Sequence, residues 1–238
     1  MRLPGAILGT VVCALGFTGV ARAFDPDDTT NRMVAKFLDA QKIQQESLRG
    51  TQMEVDIDAQ LPKLKEQGRL KVLRTISRLG KTTMHKLGEF VGDKTVQHEV
   101  IERYLQLETD TSSESNISIT PDNYKFRLKT RMTQADSRIY VFELTPKRKA
   151  VGLFKGELWL DAATGMPLKE TGTLVKTPSI FLKKIVFVNE YKIENGVAMP
   201  TRIECHVDTR IAGRADLSIR FSTAVPAEDE EAEISGEP

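Results

Sequence analysis

The side chains that most often carry catalysis or metal binding are thinly spread in this chain. Histidine occurs only as His85, His98 and His206, on three separate segments, and cysteine only as Cys13 and Cys205. Zinc sites and nucleophilic dyads need such groups to converge on one ion or one reacting atom. No H-x-x-x-H, C-x-x-C, G-x-S-x-G or glycine-rich phosphate loop occurs. His98 and His206 fall on expected polar faces, where solvation is the plain reading and pH sensing the special one. Glu54, Asp56 and Asp58 share one side of one strand, where they could hold a cation weakly or simply face solvent as the alternation demands. Lys125, Arg127, Lys129 and Arg131 are the basic counterpart. Spaced by two, they project together toward solvent, anionic headgroups or an acidic partner. No enzyme, metal or cofactor is expected.

Bulk composition points the same way. Among 238 residues, 34 Lys and Arg stand against 33 Asp and Glu, a formal charge of +1. That leaves no basic surplus to neutralise a phosphate backbone, so a nucleic-acid partner is not expected. The 40% hydrophobic content is that of an ordinary globular protein.

Arg2 precedes an uncharged run over 3–20 that closes on Ala21-Arg22-Ala23. This is the pattern of a secretory leader with an A-x-A exit, so export with cleavage after Ala23 is expected. The remaining chain keeps only Cys205 and can form no internal disulfide. Cys205 alternates with Ile203 and Val207, opposite Arg202, Glu204, His206 and Asp208, so its thiol should face a core.

The elements that position these groups follow from periodicity. Met33, Val34, Phe37 and Leu38 make a helical stripe over 29–48, ended by Gly50. Met53, Val55, Ile57, Ala59 and Leu61 then alternate with polar residues, predicting a half-buried strand. Leu70, Val72 and Ile76 suggest a second, and 84–91 a weaker third. Val96, Val100, Tyr104 and Leu107 predict a second helix over 95–108. A polar connection over 110–121 leads into strands over 124–130, 138–145, 153–161, 166–176, 180–193, 200–211 and 215–223. Short turns such as Glu194-Asn195-Gly196 imply antiparallel neighbours. Residues 226–238 carry six acidic side chains and no basic one, the composition of a disordered tail.

Two helices cannot obviously cover one face of some ten strands. The sheet is therefore expected to curl around them, either leaving apolar volume for a hydrophobic ligand or filling it with its own side chains.

Several motifs of the second half carry a resemblance. They are Tyr140-Val141-Phe142-Glu143-Leu144-Thr145-Pro146, Leu158-Trp159-Leu160-Asp161, Thr164-Gly165-Met166-Pro167-Leu168, Asn189-Glu190-Tyr191-Lys192, Gly196, and Met199-Pro200-Thr201-Arg202-Ile203-Glu204. Over about 138–222 they resemble the outer-membrane lipoprotein-sorting proteins, the LolA/LolB-like family. The resemblance implies an α+β fold, a mostly antiparallel, unclosed β half-barrel of about 10–11 strands lidded by two or so helices, with a cavity for acyl chains.

The resulting expectation is a leader over 1–23, one half-barrel domain over 24–225 and an acidic tail over 226–238. The function expected is that of a monomeric, non-catalytic periplasmic carrier or receptor of an acylated lipoprotein or lipid, with an envelope membrane protein as a further partner. Its candidate contacts are Val55, Ile57, Val72, Tyr124, Phe126, Phe142, Leu144, Leu158, Leu160, Ile203, Val207 and Phe221, with Phe37 and Leu38 on the lid. The alternative is an envelope protein-binding or sensor module on the same fold with a filled interior.

Overall fold

A computed structural model describes residues 26–109, 117–134, 137–210 and 213–227. The expected leader, most of the acidic tail and much of the polar connection lie outside the described residues.

The described residues open with helix α1 (Pro26–Leu48). Met33, Val34, Phe37 and Ala40, three or four residues apart, are buried along one stripe. The opposite side carries exposed i,i+4 and i,i+3 ion pairs, Arg32 to Asp28 at 3.1 Å and Arg49 to Glu46 at 3.3 Å. Such pairs add only a few tenths of a kcal/mol, so the buried stripe holds the helix in place. Gly50, at φ +70°, ends it and leads into the sheet.

Ten strands run in the spatial order β3-β2-β1-β11-β10-β9-β8-β7-β6-β5. Their ranges are β1 (Thr51–Leu61), β2 (Glu66–Ile76), β3 (Thr82–Lys86), β5 (Tyr124–Gln134), β6 (Ser137–Pro146), β7 (Phe154–Asp161), β8 (Pro167–Leu174), β9 (Leu182–Glu194), β10 (Val197–Thr209) and β11 (Arg214–Phe221). Two-residue strands β4 (Val91–Gly92) and β12 (Val225–Pro226) add to β2 and β1, giving twelve in one sheet. Every described pairing is antiparallel. Among the described residues nothing pairs β3 with β5, so this α+β fold is an unclosed half-barrel. The Asn195-Gly196 turn of the β9–β10 hairpin has φ of +51° and +79°, as a two-residue primed turn requires.

Between β4 and β5 lies a second helical unit: α2 (Lys94–Val96), a π-helical turn (Gln97–Ile101) and α3 (Glu102–Thr109). The helix expected over 95–108 is thus present with one wider turn. That turn brings Ile101, outside the expected stripe, into the core beside Val96 and Val100.

A second departure lies in β5. A bulge between Leu128 and Thr130 shifts the register and sets Arg131 opposite Tyr140 instead of in line with Lys125, Arg127 and Lys129. Its guanidinium lies 5.5 Å from the centre of the Tyr140 ring, so the expected stripe of four cations is a stripe of three.

Candidate functional site

Alternation along each strand separates a helix-bearing inner face from an outer face. The register makes Val55, Phe221, Ile57, Ile219, Ile203, Cys205, Leu217 and Phe187 neighbours on the inner face. The candidate contacts divide between two apolar clusters there. Val55, Ile57 and Val72 are buried in the first, on β1 and β2, with Ile203, Val207 and Phe221 packed against it. Phe37 of α1 and Tyr124, Phe142, Leu144, Leu158 and Leu160 of β5–β7 are buried in the second, with Leu38 and Phe126 against it.

Nine of these fourteen side chains are buried, and Leu38, Phe126, Ile203, Val207 and Phe221 remain half-buried. The half-buried inner residues continue across the middle of the sheet. Ile185 and Phe187 on β9 and Ile203, Cys205 and Val207 on β10 form a wall between the clusters that is only partly covered. Burial pushes the Cys205 thiol up to about 11, so it stays a neutral, weakly polar group there.

Two aromatic contacts brace this wall. The Phe154 ring meets Tyr124 at 5.4 Å and Phe187 edge-on at 5.0 Å between centroids. Gly172 lies beneath it, since a Cβ on that residue would come within 2.4 Å of the ring.

The apolar wall contains a polar group that alternation did not reveal. Glu170, in register with Leu158 and Asn189, lies on the inner face. Asn189 Nδ2 donates to Glu170 Oε2 at 3.3 Å, and burial, outweighing hydrogen bonds from Asn189 and Tyr191, holds this carboxyl above its ordinary range. Burial also raises the Tyr191 hydroxyl well above its usual value, with Glu170 and Glu108 adding to it. Tyr104 on α3 is raised well above its usual value for the same reason, and among the described residues its buried hydroxyl has no hydrogen-bond partner. The shared parity of Glu170 with Gly172 and Leu174 was the one signal in the sequence.

The outer face is a mosaic of cross-strand ion pairs. Asp58 accepts from Arg69 at 2.5 Å and from Arg220 at 2.7 Å, and Lys71 lies 3.6 Å from Asp56. Arg127 pairs with Glu143 and Lys129 with Glu157, and the hydrogen bonds from those cations hold both carboxyls below their ordinary range. His206 Nδ1 is 2.6 Å from Asp216 on the neighbouring strand, while His98 Nδ1, 2.9 Å from Glu102, makes an i,i+4 contact within the second helical unit. The acidic and basic rows therefore complement neighbouring strands. Among the described residues no three His, Cys, Asp or Glu gather to hold a metal.

Two surface grooves, of about 240 Å³ beside Asp58, Arg69 and Gly92 and about 520 Å³ beside Arg127, Lys129 and Glu157, are lined by none of the fourteen candidates. Among the described residues no helix is long and apolar enough to cross a membrane.

No family model matches the chain, and no curated protein matches it. Solved structures do resemble it. A LolA superfamily protein from Nitrosomonas europaea is 18% identical, with 84% of this chain and 94% of that one covered and a TM-score of 0.39. A domain from Vibrio parahaemolyticus named for outer membrane lipoprotein sorting is 14% identical over 82% and 92%, also at 0.39. The MucA/MucB complex of Pseudomonas aeruginosa contributes a chain 11% identical over 85% and 100%, at 0.26. The fold stands on the strand register above, independently of these likenesses. The resemblance read from residues 138–222 and the first two of these structures name the same family.

Proposed function

We propose that this protein is an exported, periplasmic, non-catalytic carrier or receptor that receives lipoprotein acyl chains or lipid on the inner face of its half-barrel. The observation that carries the reading is the half-buried wall of Ile185, Phe187, Ile203, Cys205 and Val207 between two sealed clusters. Each methylene moved from water onto such a surface gains about 0.8 kcal/mol, so an acyl chain can be held without covalent chemistry and released by exchange. The nine buried candidates serve as the packed floor; direct contact falls to Phe126, Ile203, Val207, Phe221 and Leu38.

A second reading, an envelope protein-binding module with a filled interior, is favoured by the burial of nine candidates.

Native mass spectrometry of the protein from its own envelope separates the two, since a carrier retains lipid and a module does not. Ile203→Glu and Phe126→Glu are each expected to lower binding of a fluorescent acyl probe. Full binding by folded forms of both variants would mean that the inner wall is not the site.

A further inference from the structure

Antiparallel connectivity sends every second turn to the same end of the sheet. The β1–β2, β6–β7, β8–β9 and β10–β11 connections therefore share one rim. Contacts join them: Gly213 lies against Lys63, Val175 N donates to Leu153 O at 2.9 Å, and Arg210 N donates to Phe181 O at 2.9 Å.

The composition of this rim is one-sided. Segments 62–65, 147–152, 176–184 and 208–214 carry ten Lys or Arg against Asp208, with Glu66 and Asp93 at the β2 end of the same rim, in a chain of net charge +1. At the other rim, turns 162–166 and 195–196 carry no charge, while turn 77–81 carries Arg78 and Lys81. Large apolar side chains stand among the cations. Ile180 is 79% exposed and Phe181 53%, at the tip of the β8–β9 loop between Lys176 and the Lys183-Lys184 pair; Leu64 and Val151 are exposed on two neighbouring connections.

The loop is also built to leave water. Arg210 Nε donates to Ile180 O at 2.7 Å, and Arg210 N covers Phe181 O. Thr177 Oγ1 bonds the carbonyls of Ser179 and Leu182, each at 3.2 Å. With these carbonyls satisfied, the tip can enter an apolar layer without the several kcal/mol that an orphaned backbone group costs there.

We infer that this rim docks on an anionic phospholipid surface, with Ile180 and Phe181 seated below the headgroups and the surrounding lysines and arginines at the phosphates. A bilayer fits because the apolar tips come from separate connections along one rim, each framed by cations, so they match a plane of uniform charge over an apolar layer. The inference is independent of whether the inner wall holds cargo, and its tests use no acyl-binding readout.

The test is co-sedimentation of the chain from Phe24 onward, which removes the apolar run over 3–20, with vesicles of phosphatidylcholine alone or mixed with phosphatidylglycerol. Binding is expected only to the mixed vesicles and should weaken with salt. Removing Lys183 or Lys184 as alanine should lower partitioning about fivefold each, as expected for a cation near an anionic surface. Ile180→Ser with Phe181→Ser should lower it about tenfold or more, through lost apolar burial. Phe181→Trp should shift its emission to the blue when mixed vesicles are added. Equal binding to neutral vesicles, or mixed-vesicle binding indifferent to the serine pair, would overturn the inference. So would binding to polyglutamate with none to vesicles, which would assign the rim to an acidic protein.

Discussion

Phe37→Ala tests how the inner face is roofed. Phe37 is fully buried in the cluster that contains Met33, Tyr124, Phe142, Leu144, Leu158 and Leu160, and it is the largest buried side chain of α1. Truncating a buried phenylalanine costs about 3–5 kcal/mol, the lost transfer energy plus the cavity left behind. That is a large share of the roughly 5–15 kcal/mol by which a domain is stable. The rest of the docking is thinner: Lys36 Nζ donates to Ala162 O at 3.1 Å, Gln44 Nε2 to Ala198 O at 2.5 Å, and Ala40 packs with Met166 and Ala198. Ile43, 54% exposed on the same helix, is the matched control, and Ile43→Ala should change stability by no more than about 0.5 kcal/mol. Urea unfolding followed by far-ultraviolet circular dichroism reads both, and the slope with denaturant should stay constant if only stability changes. A loss below about 1 kcal/mol for Phe37→Ala at unchanged slope would refute a helix anchored in the sheet.

Two further outcomes concern the polar exceptions on the wall. Burial holds the Glu170 carboxyl above its ordinary range, so as pH rises the unfolded chain releases this proton before the folded one does. Stability therefore falls between the ordinary carboxylate pKa and the raised folded value, and the penalty is complete above it. Glu170→Gln, which keeps an acceptor for Asn189, should be more stable than the parent at neutral pH and lack that part of the pH slope in a urea titration series; a variant less stable at neutral pH would refute the assignment. Cys205, with its thiol pushed to about 11, should react slowly with an aromatic disulfide reagent at neutral pH and readily in urea, whereas rapid labelling of the folded protein would place it outside the wall.

The parts legible in the sequence were those where one period ruled. β1 alternates five apolar residues with polar ones, and its burial follows that pattern to the end. Where a strand is apolar on both faces the period is silent. In Ile185-Val186-Phe187-Val188 of β9 only the pairing of Phe187 with Cys205 shows which side is inward, so Phe187 and Ile185 were not among the expected contacts. Bulges are invisible for a related reason: an extra residue at Lys129 leaves the composition of β5 unchanged while turning Arg131 to the other face. Glu170 escaped notice because its place inside depends on Asn189 and Tyr191, twenty residues away, and a lone glutamate beside Lys169 reads as solvated.

The half-covered wall follows from dimensions. A helix of 23 residues is about 35 Å long and about 10 Å wide, enough to cross several strands but not to cover their length. Strands of 13 residues, as in β9 and β10, extend about 43 Å. α1 meets the β7–β8 turn through Lys36 and the start of β10 through Gln44, and its Met33 and Phe37 pack with Tyr124, Leu153 and Phe154 at the other side of the sheet's second half. The second helical unit packs its apolar side on β1 and β2. Along β9 and β10 the inner residues Ile185, Phe187, Ile203, Cys205 and Val207 are all half-buried, and the exposed Ile180 and Phe181 lie just before the start of β9 at the basic rim. An acyl chain leaving a bilayer at that rim would reach Ile185 and Val207 first, which ties the two proposals in space while leaving each open to refutation alone. Loss of vesicle binding in the Ile180 and Phe181 variants with acyl-probe affinity intact would locate docking and cargo on separate surfaces. Parallel loss of both would mean that the loop is itself part of the cargo wall.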